Sequence, residues 1–488
     1  MKTRTLKELL LYNYRYWFGY SIVVGFIVYF LGWQIGSLQG GISQPELAAA
    51  ARHTSVAEIV KLPIYPLHSL LQFLSFKLFD INLLTIRISG SLLGLFVAFT
   101  LYSLLKRWFG KPTALLSTAI FISADWFLSI ARLGTGGIEF SFWLCLALLC
   151  FTKLLEHRTK WLLLYVFSLA GLLFAPFGIY AVITLIVSLF ACRVFRERTQ
   201  QAPLLIKVLS VGLLLTSVGL IIYTSIQNVE FIKNLLGIQN LPTVGEYVKN
   251  AFGNMSSVVA VLPNANLVIS PTGIFFIRFF ELIFILFGVI MFWRTRVNRL
   301  NLTVLVLSIV LVLASGLSAG SRGGGLVLIP AAIFMTAGIR HLVHRWQRTF
   351  PKNPYARVGA YVPMALLFIS VVSLHYVSYF QLWPNQPTTQ AAFSRDFMLA
   401  KTELNKADYA QKQCFVESTD QSFNRLLVAA NTVCTPYFPQ STISQKLPEA
   451  LLVKPGSPLI STRTKRVLTS DASTDNIRWI VLSNKAVN

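Results

Sequence analysis

Seven ionisable side chains stand out because they fall inside or at the ends of long apolar runs, where a charge is costly and is kept for a reason. Asp125 lies near the end of one run. Arg132 and Glu139 flank the tight turn Gly134-Thr135-Gly136-Gly137 that leads into the next. Arg87 begins another run, Arg278 and Glu281 are spaced i, i+3, and Arg322 precedes Gly323-Gly324-Gly325. Two kinds of chemistry suit such groups. Guanidinium forks grip a phosphate through paired, charge-assisted hydrogen bonds, and a carboxylate accepts a proton from a hydroxyl. Each also has a plainer reading. Arg87 and Arg278 can snorkel to an interface, Arg278 and Glu281 can pair on one helix face, Asp125 can pair with Arg132, and the glycines after Arg322 can be only a turn.

The elements that must position these groups are membrane helices. Of the 488 residues, 55% are hydrophobic and 13% charged, too few charges to cover a soluble surface. The apolar residues come in blocks of about twenty, the length that crosses ~30 Å of hydrocarbon. Eleven spans are expected, at roughly 17–37, 85–105, 113–130, 137–155, 161–176, 177–192, 204–225, 272–293, 299–317, 325–340 and 358–377. The first is too long for a signal-peptide core and lacks a cleavage site.

The net charge of +24 resolves into a topology. With a cytoplasmic N-terminus the inner segments carry 22 Lys/Arg against Glu8, Glu156 and Glu197, while the tail from residue 378 has a net charge of +4. That is the positive-inside pattern, and it leaves no excess that calls for nucleic acid. Residues 38–84, 226–271 and 378–488 then share the outer side of the cytoplasmic membrane. Two domains are expected: a transmembrane domain over 1–377, with 38–84 as its first outer loop, and a small extracytoplasmic α/β domain over 378–488. In the tail, 395–412 read as a helix, and Cys414-Phe415-Val416-Glu417 and Ile477–Leu482 as strands. Within 38–84, Pro45–Val60 is helix-prone, and the apolar stretch from Tyr65 to Phe79 suits a helix lying at the interface. Cys145, Cys150 and Cys192 serve as small apolar residues. Cys414 and Cys434 stand in the outer domain, where a disulfide is an option.

The order of these features resembles the integral-membrane glycosyltransferases that use polyprenyl-phosphate-linked sugars, such as protein O-mannosyltransferases and the lipid A aminoarabinose transferase. The resemblance covers about residues 15–340. It rests on Ser43-Gln44-Pro45-Glu46-Leu47 leading to Arg52, on Tyr65-Pro66-Leu67-His68, on Leu84-Thr85-Ile86-Arg87-Ile88, on Ala131-Arg132-Leu133-Gly134 and on Ser321-Arg322. The family carries an Asp-Glu pair where this chain has Ser43 and Gln44, neither of which can act as a base. The resemblance therefore implies that any catalytic carboxylate is Glu46, one helical turn on, or Asp125 or Glu139. It assigns Arg52, His68, Arg87, Arg132 and Arg322 to substrate binding.

The implied activity is transfer of a sugar from a polyprenyl phosphate to an envelope glycan, lipid or protein at the outer face. The lipid phosphate already activates the sugar. The site then needs one carboxylate for the acceptor and cations for the departing phosphate. No cofactor is firmly implied: no nucleotide-binding glycine motif appears, and a divalent metal is left open with no ligand spacing visible. Two other classes fit parts of the sequence. One is a flippase or transporter of lipid-linked sugars, although the paired broken helices and internal repeat of many transporters are not visible. The other is an inactive scaffold of the same fold.

Overall fold

The computed structural model describes residues 15–156, 159–238, 242–259, 275–296, 298–318, 325–349, 359, 361–405, 413–416, 420–430, 435–437, 450–453, 464–469 and 477–483. The chain divides into two compact units, each discontinuous in sequence. The first comprises Met1–Trp33, Leu62–His68 and Gly90–Trp383, and the second Gln34–Lys61, Ser69–Ser89 and Pro384–Asn488.

The first unit is a helical bundle. A helix occupies each of the eleven segments expected from hydropathy. Among the described residues, five helices are long and apolar enough to span, or six if one bent pair counts as a single span. Trp161–Leu173, Gly178–Ala191 and Arg299–Ser315 are shorter apolar helices. The chain is thus a multi-pass membrane protein.

Two breaks shape the bundle. The run expected as one helix over 113–130 is two, Lys111–Ser123 and Asp125–Ala131, bent by 66°. No proline causes this. Ala124 takes extended backbone angles (φ −60°, ψ 130°), its N–H closes the first helix on Ile120 and Phe121, and Asp125 Oδ1 accepts from the N–H of Trp126. The polar groups freed by the bend are thereby satisfied inside the protein, as apolar surroundings require. The second break, at Pro176-Phe177, separates Trp161–Leu173 from Gly178–Ala191. Phe177 is left-handed (φ 64°), and its N–H donates to Leu235 O at 2.7 Å.

Phe275–Arg294 and Leu328–Thr349 pack backbone to backbone. A Cβ on Gly288 would stand 1.8 Å from Phe334 O, and one on Gly338 would stand 2.0 Å from Phe284 O. Small residues that let two helices approach this closely are the usual device where lipid provides no hydrophobic drive for association.

The second unit folds around Leu47, Ala50, Ile86, Phe397, Phe423 and Leu426, with Ile42 and Leu404 in the same core. Its helices Gln44–Arg52 and Val56–Lys61 fall in the Pro45–Val60 stretch, and the short strands β1 (Ile42–Ser43) and β2 (Phe393–Ser394) pair antiparallel. Lys401 Nζ ties Asp80 and the Ile81 carbonyl to the helix Asp396–Leu404. That helix ends before the expected residue 412, and 406–412 lie outside the described residues.

Among the described residues the tail carries five further strands: β3 (Gln413–Val416), β4 (Thr435–Tyr437), β5 (Ala450–Val453), β6 (Thr464–Thr469) and β7 (Ile477–Ser483). They form one mixed sheet in the order β4-β3-β5-β7-β6. β3 runs parallel to β4 and β5, while β7 is antiparallel to β5 and β6. The helix Gln421–Ala429 lies between β3 and β4, as a parallel connection needs. Cys434 lies outside the described residues.

Candidate functional site

Glu46 and Arg87, 41 residues apart, form a buried ion pair in the second unit. Arg87 Nε donates to Glu46 Oε1 at 2.9 Å and Nη2 to Oε2 at 3.1 Å, with side chains 1% and 0% exposed. The remaining guanidinium capacity goes to Gly41 O at 2.7 Å, Gln39 Oε1 at 2.8 Å and Ile35 O at 3.3 Å. The face of the guanidinium lies over Phe393. Glu46 in turn accepts from the N–H and hydroxyl of Ser43 at 3.1 and 3.0 Å. Ser43 therefore starts the helix Gln44–Arg52, and Glu46 closes that start from its first turn. Arg87 was expected either to snorkel or to grip phosphate. Here all three of its nitrogens are bonded within the protein, which makes it a strut between the start of the helix Leu83–Phe109 and the segment Ile35–Glu46.

His53, at the end of the same helix, is buried in a second network. Its Nδ1 lies against Gln72 Oε1 and its Nε2 against the Ser69 hydroxyl at 2.8 Å, while Gln72 Nε2 donates to Ile86 O at 2.6 Å. Burial pushes the imidazole down to about 4, with the Arg52 charge acting in the same direction and the Gln72 bond against it. The folded protein therefore holds His53 neutral where the unfolded chain, near the ordinary ~6.5, takes up a proton. Its contribution to stability is complete above ~6.5 and is lost as pH falls towards ~4, by roughly 3 kcal/mol at most. Melting temperatures measured between pH 7.5 and 4 should fall more steeply for wild type than for His53→Gln. Parallel curves would show that His53 does not carry this dependence.

In the first unit Glu139 is fully buried and receives three N–H groups. They come from His68 to Oε2 at 2.7 Å, from Leu67 to Oε1 at 3.2 Å and from the Trp143 indole to Oε1 at 2.9 Å. Two of the donors are first-turn amides of the helix Pro66–Leu78, so the carboxylate holds that helix by its positive end. His68 itself is buried. Arg132 Nη1 donates to Phe30 O at 2.7 Å and Nη2 to Trp33 O, and its guanidinium lies 4.8 Å from the Phe380 ring centroid. The carbonyls belong to the end of the helix Arg15–Gly32, where a cation is favoured. Arg132 thus clamps the first helix.

Asp125 is 1% exposed at the bend, where its Oδ2 accepts from Ser378 at 3.2 Å. Beside it runs a buried chain that the sequence reading did not assemble. The Ser123 hydroxyl meets His375 Nδ1 at 3.1 Å, His375 Nε2 faces Glu281 Oε1 at 3.4 Å, and the Trp126 indole donates to Glu281 Oε2 at 3.4 Å. Glu281, expected to pair with Arg278, is thus engaged by other helices; the Arg278 side chain is outside the described residues. His375 was missed because a lone histidine near the end of an apolar run carries no spacing signal.

Arg52 is exposed, with Nε donating to Ala48 O at 3.1 Å. Arg322 lies outside the described residues. The structure therefore joins Glu46 to Arg87 in one unit and Glu139 to the Leu67-His68 backbone in the other.

A protein-family model described as dolichyl-phosphate-mannose-protein mannosyltransferase matches residues 62–223. No curated protein matches the chain in sequence. Among solved structures, ArnT from Cupriavidus metallidurans superposes with a TM-score of 0.58 in its undecaprenyl phosphate complex and 0.60 in its apo state. Identity is 13% in both, over 96% of this chain and 98% of that one. The oligosaccharyltransferase of Archaeoglobus fulgidus, tethered with an acceptor peptide containing the NVT sequon, gives 0.54 at 14% identity, over 87% of this chain and 64% of its own. At such identities the likeness is one of fold. The resemblance drawn from loose motifs over 15–340 is shown by these matches, and the likeness of fold extends over nearly the whole chain.

Proposed function

We propose that this chain is a membrane glycosyltransferase that moves a sugar from a polyprenyl-phosphate donor to an envelope glycan, lipid or protein. In this reading it acts at the outer face of the cytoplasmic membrane, where residues 378–488 form an extracytoplasmic domain. The observation that carries the proposal is the end-to-end match with ArnT, which covers nearly all of both chains and includes a structure holding undecaprenyl phosphate. The family match over 62–223 supports the same chemistry independently.

Within this proposal the three carboxylates take different parts. Glu46 is locked in a buried pair with Arg87, with its oxygens taken by the guanidinium and by Ser43. Glu139 anchors a helix. Asp125 is our proposed base: it sits at the bend between two short helices, beside the buried Ser123, His375 and Glu281. Arg322 is the guanidinium proposed for the donor phosphate. Titration of reconstituted protein with polyprenyl phosphate should then saturate, and polyprenol should not bind. Arg322→Ala should weaken binding by roughly 1.5–3 kcal/mol, with Arg322→Lys recovering part. Equal binding of phosphate and alcohol would remove the phosphate site.

The proposed orientation has its own check. Thiols introduced at Gln44 and Gln421, both exposed, should react with an impermeant reagent applied from outside, and one at Arg294, also exposed, should not. Labelling at Arg294 would reverse the helices after residue 192.

A second reading is favoured by Ser43 and Gln44. With no acid at the motif position and Ser43 serving as a helix start, the fold can persist without the reaction, as a scaffold that binds the lipid. A donor that binds without transferring its sugar would select it.

A further inference from the structure

The helix Val244–Val259 contributes nothing to the candidate site, yet its surface is divided into three sectors. Thr243 starts it. The Thr243 N–H and hydroxyl donate to Glu246 Oε2 at 2.8 and 2.9 Å, and the Glu246 N–H reaches back to Thr243 Oγ1 at 3.4 Å. Such a reciprocal cap fixes the first turn. At about 100° per residue, Tyr247, Ala251 and Asn254 share one face. Glu246, Lys249 and Asn250 share a second, and Val244, Val248 and Phe252 a third.

The first sector is bound to the protein. The Tyr247 hydroxyl donates to Leu313 O at 2.6 Å, and Asn254 Nδ2 donates to Ser315 O at 2.8 Å and Ser318 O at 3.0 Å. These carbonyls lie at or just past the end of the apolar helix Arg299–Ser315, where the regular ladder stops and side-chain donors are accepted. The third sector is bare: Val244, Val248 and Phe252 are 82%, 60% and 64% exposed.

Two observations say what covers it. Leu302, Val306, Ile309 and Leu313 make an exposed apolar stripe along Arg299–Ser315, whose other faces are buried. In a multi-pass membrane protein that stripe is the side turned to lipid. Tyr247 is bonded to Leu313, the last residue of the stripe, so Val244–Val259 stands where the lipid-facing surface ends. The second observation is the order of the sectors. The apolar and polar sectors flank the bound face on opposite sides, each about 100° from it. A helix held by one side, apolar on one flank and charged on the other, fits the boundary between hydrocarbon and water.

We propose that Val244–Val259 lies flat in the membrane interface at the Ser315 end of the bundle. Val244, Val248 and Phe252 insert among the acyl chains, and Glu246 and Lys249 face water. The partner is the bilayer surface itself. Glu246 and Lys249 carry opposite charges, so the surface need not be anionic. The proposal depends neither on the transferase reading nor on which leaflet is the outer one.

Photo-crosslinking tests it. Benzoylphenylalanine is introduced singly at Glu246, Val248, Lys249, Phe252 and Ile309 of the full chain. Each protein is reconstituted in phosphatidylcholine vesicles, irradiated and read by mass spectrometry. All five side chains are exposed, so the replacements displace no packing. The replacement at Glu246 gives up the cap and the one at Lys249 keeps it, so the polar sector is read with and without that cap. Lipid adducts are expected at Val248 and Phe252 at the level of Ile309, with only background at Glu246 and Lys249. Equal adducts in the apolar and polar sectors, or lipid adducts at Ile309 alone, would overturn the proposal. Adducts of Val248 or Phe252 with a second copy of the chain in place of lipid would overturn it in favour of self-association. Absence of the Ile309 adduct would remove the lipid-facing stripe, and the proposal with it.

Discussion

Glu46→Ala should destabilise the protein by about 3–5 kcal/mol, the usual result of removing one partner from a buried ion pair. The cause is the group left behind. Arg87 is 1% exposed, and without Glu46 its charge would face only the dipoles of Gln39 and of the Ile35 and Gly41 carbonyls. The Ser43 N–H and hydroxyl would lose their acceptor as well, loosening the start of the helix Gln44–Arg52. Arg87→Ala should cost a similar amount. Replacing both by Met should recover most of it, because a well-packed apolar pair avoids the desolvation that the ions suffer. Thermal and denaturant unfolding of the purified variants measures all three. A Glu46→Ala protein within about 1 kcal/mol of wild type, the range of an exposed pair, would mean that the pair is solvated rather than buried.

The second large effect concerns chemistry rather than folding. Asp125→Asn keeps the shape of the side chain and one acceptor oxygen for the Trp126 amide, its NH2 can donate to the Ser378 hydroxyl, and its ability to accept a proton is removed. Transfer should fall at least ~100-fold, the scale of general-base removal, with the melting temperature little changed. Glu46→Gln should show the reverse pattern, a clear loss of stability with residual transfer in the protein that remains folded. The Glu139→Gln carboxamide keeps one oxygen, enough for Leu67 and Trp143 or for His68 but not for all three donors, so it should sit between the two. If Asp125→Asn transfers at the wild-type rate and Glu46→Gln does not while still folded, the base is Glu46 and the assignment of the two carboxylates is exchanged.

What could be read from the sequence follows from the physics of each feature. Helix positions in the bundle were legible because hydrocarbon thickness imposes a block length, and a block survives without knowledge of its neighbours. The bend at Ala124 was not, since no proline or glycine marks it and its polar groups are satisfied by Trp126 and Ser378 from the fold itself. Gly288 and Gly338 are unremarkable until the two helices are placed backbone to backbone.

The same division holds at the candidate site. Arg87, Arg132 and Glu139 were singled out because charges in such positions are rare, and Glu46 because it is the carboxylate nearest the Ser43-Gln44 positions of the family resemblance. Their partners were not foreseeable, because Arg87 reaches back 41 residues and Glu139 reaches back 71 to the His68 amide. Of the tail sheet, two strands were anticipated from their alternating or β-branched residues. β4, β5 and β6 are short or polar, and pairing rather than local composition defines them.

The most direct measurement is transfer of a labelled sugar from its polyprenyl phosphate by the purified full chain in liposomes, read as label in an envelope glycan, lipid or peptide acceptor. The proposed function predicts label in one acceptor class with wild type and at least ~100-fold less with Asp125→Asn. Saturable donor binding with no label in any acceptor class would contradict it, and would leave a protein that keeps the fold and the lipid without the reaction.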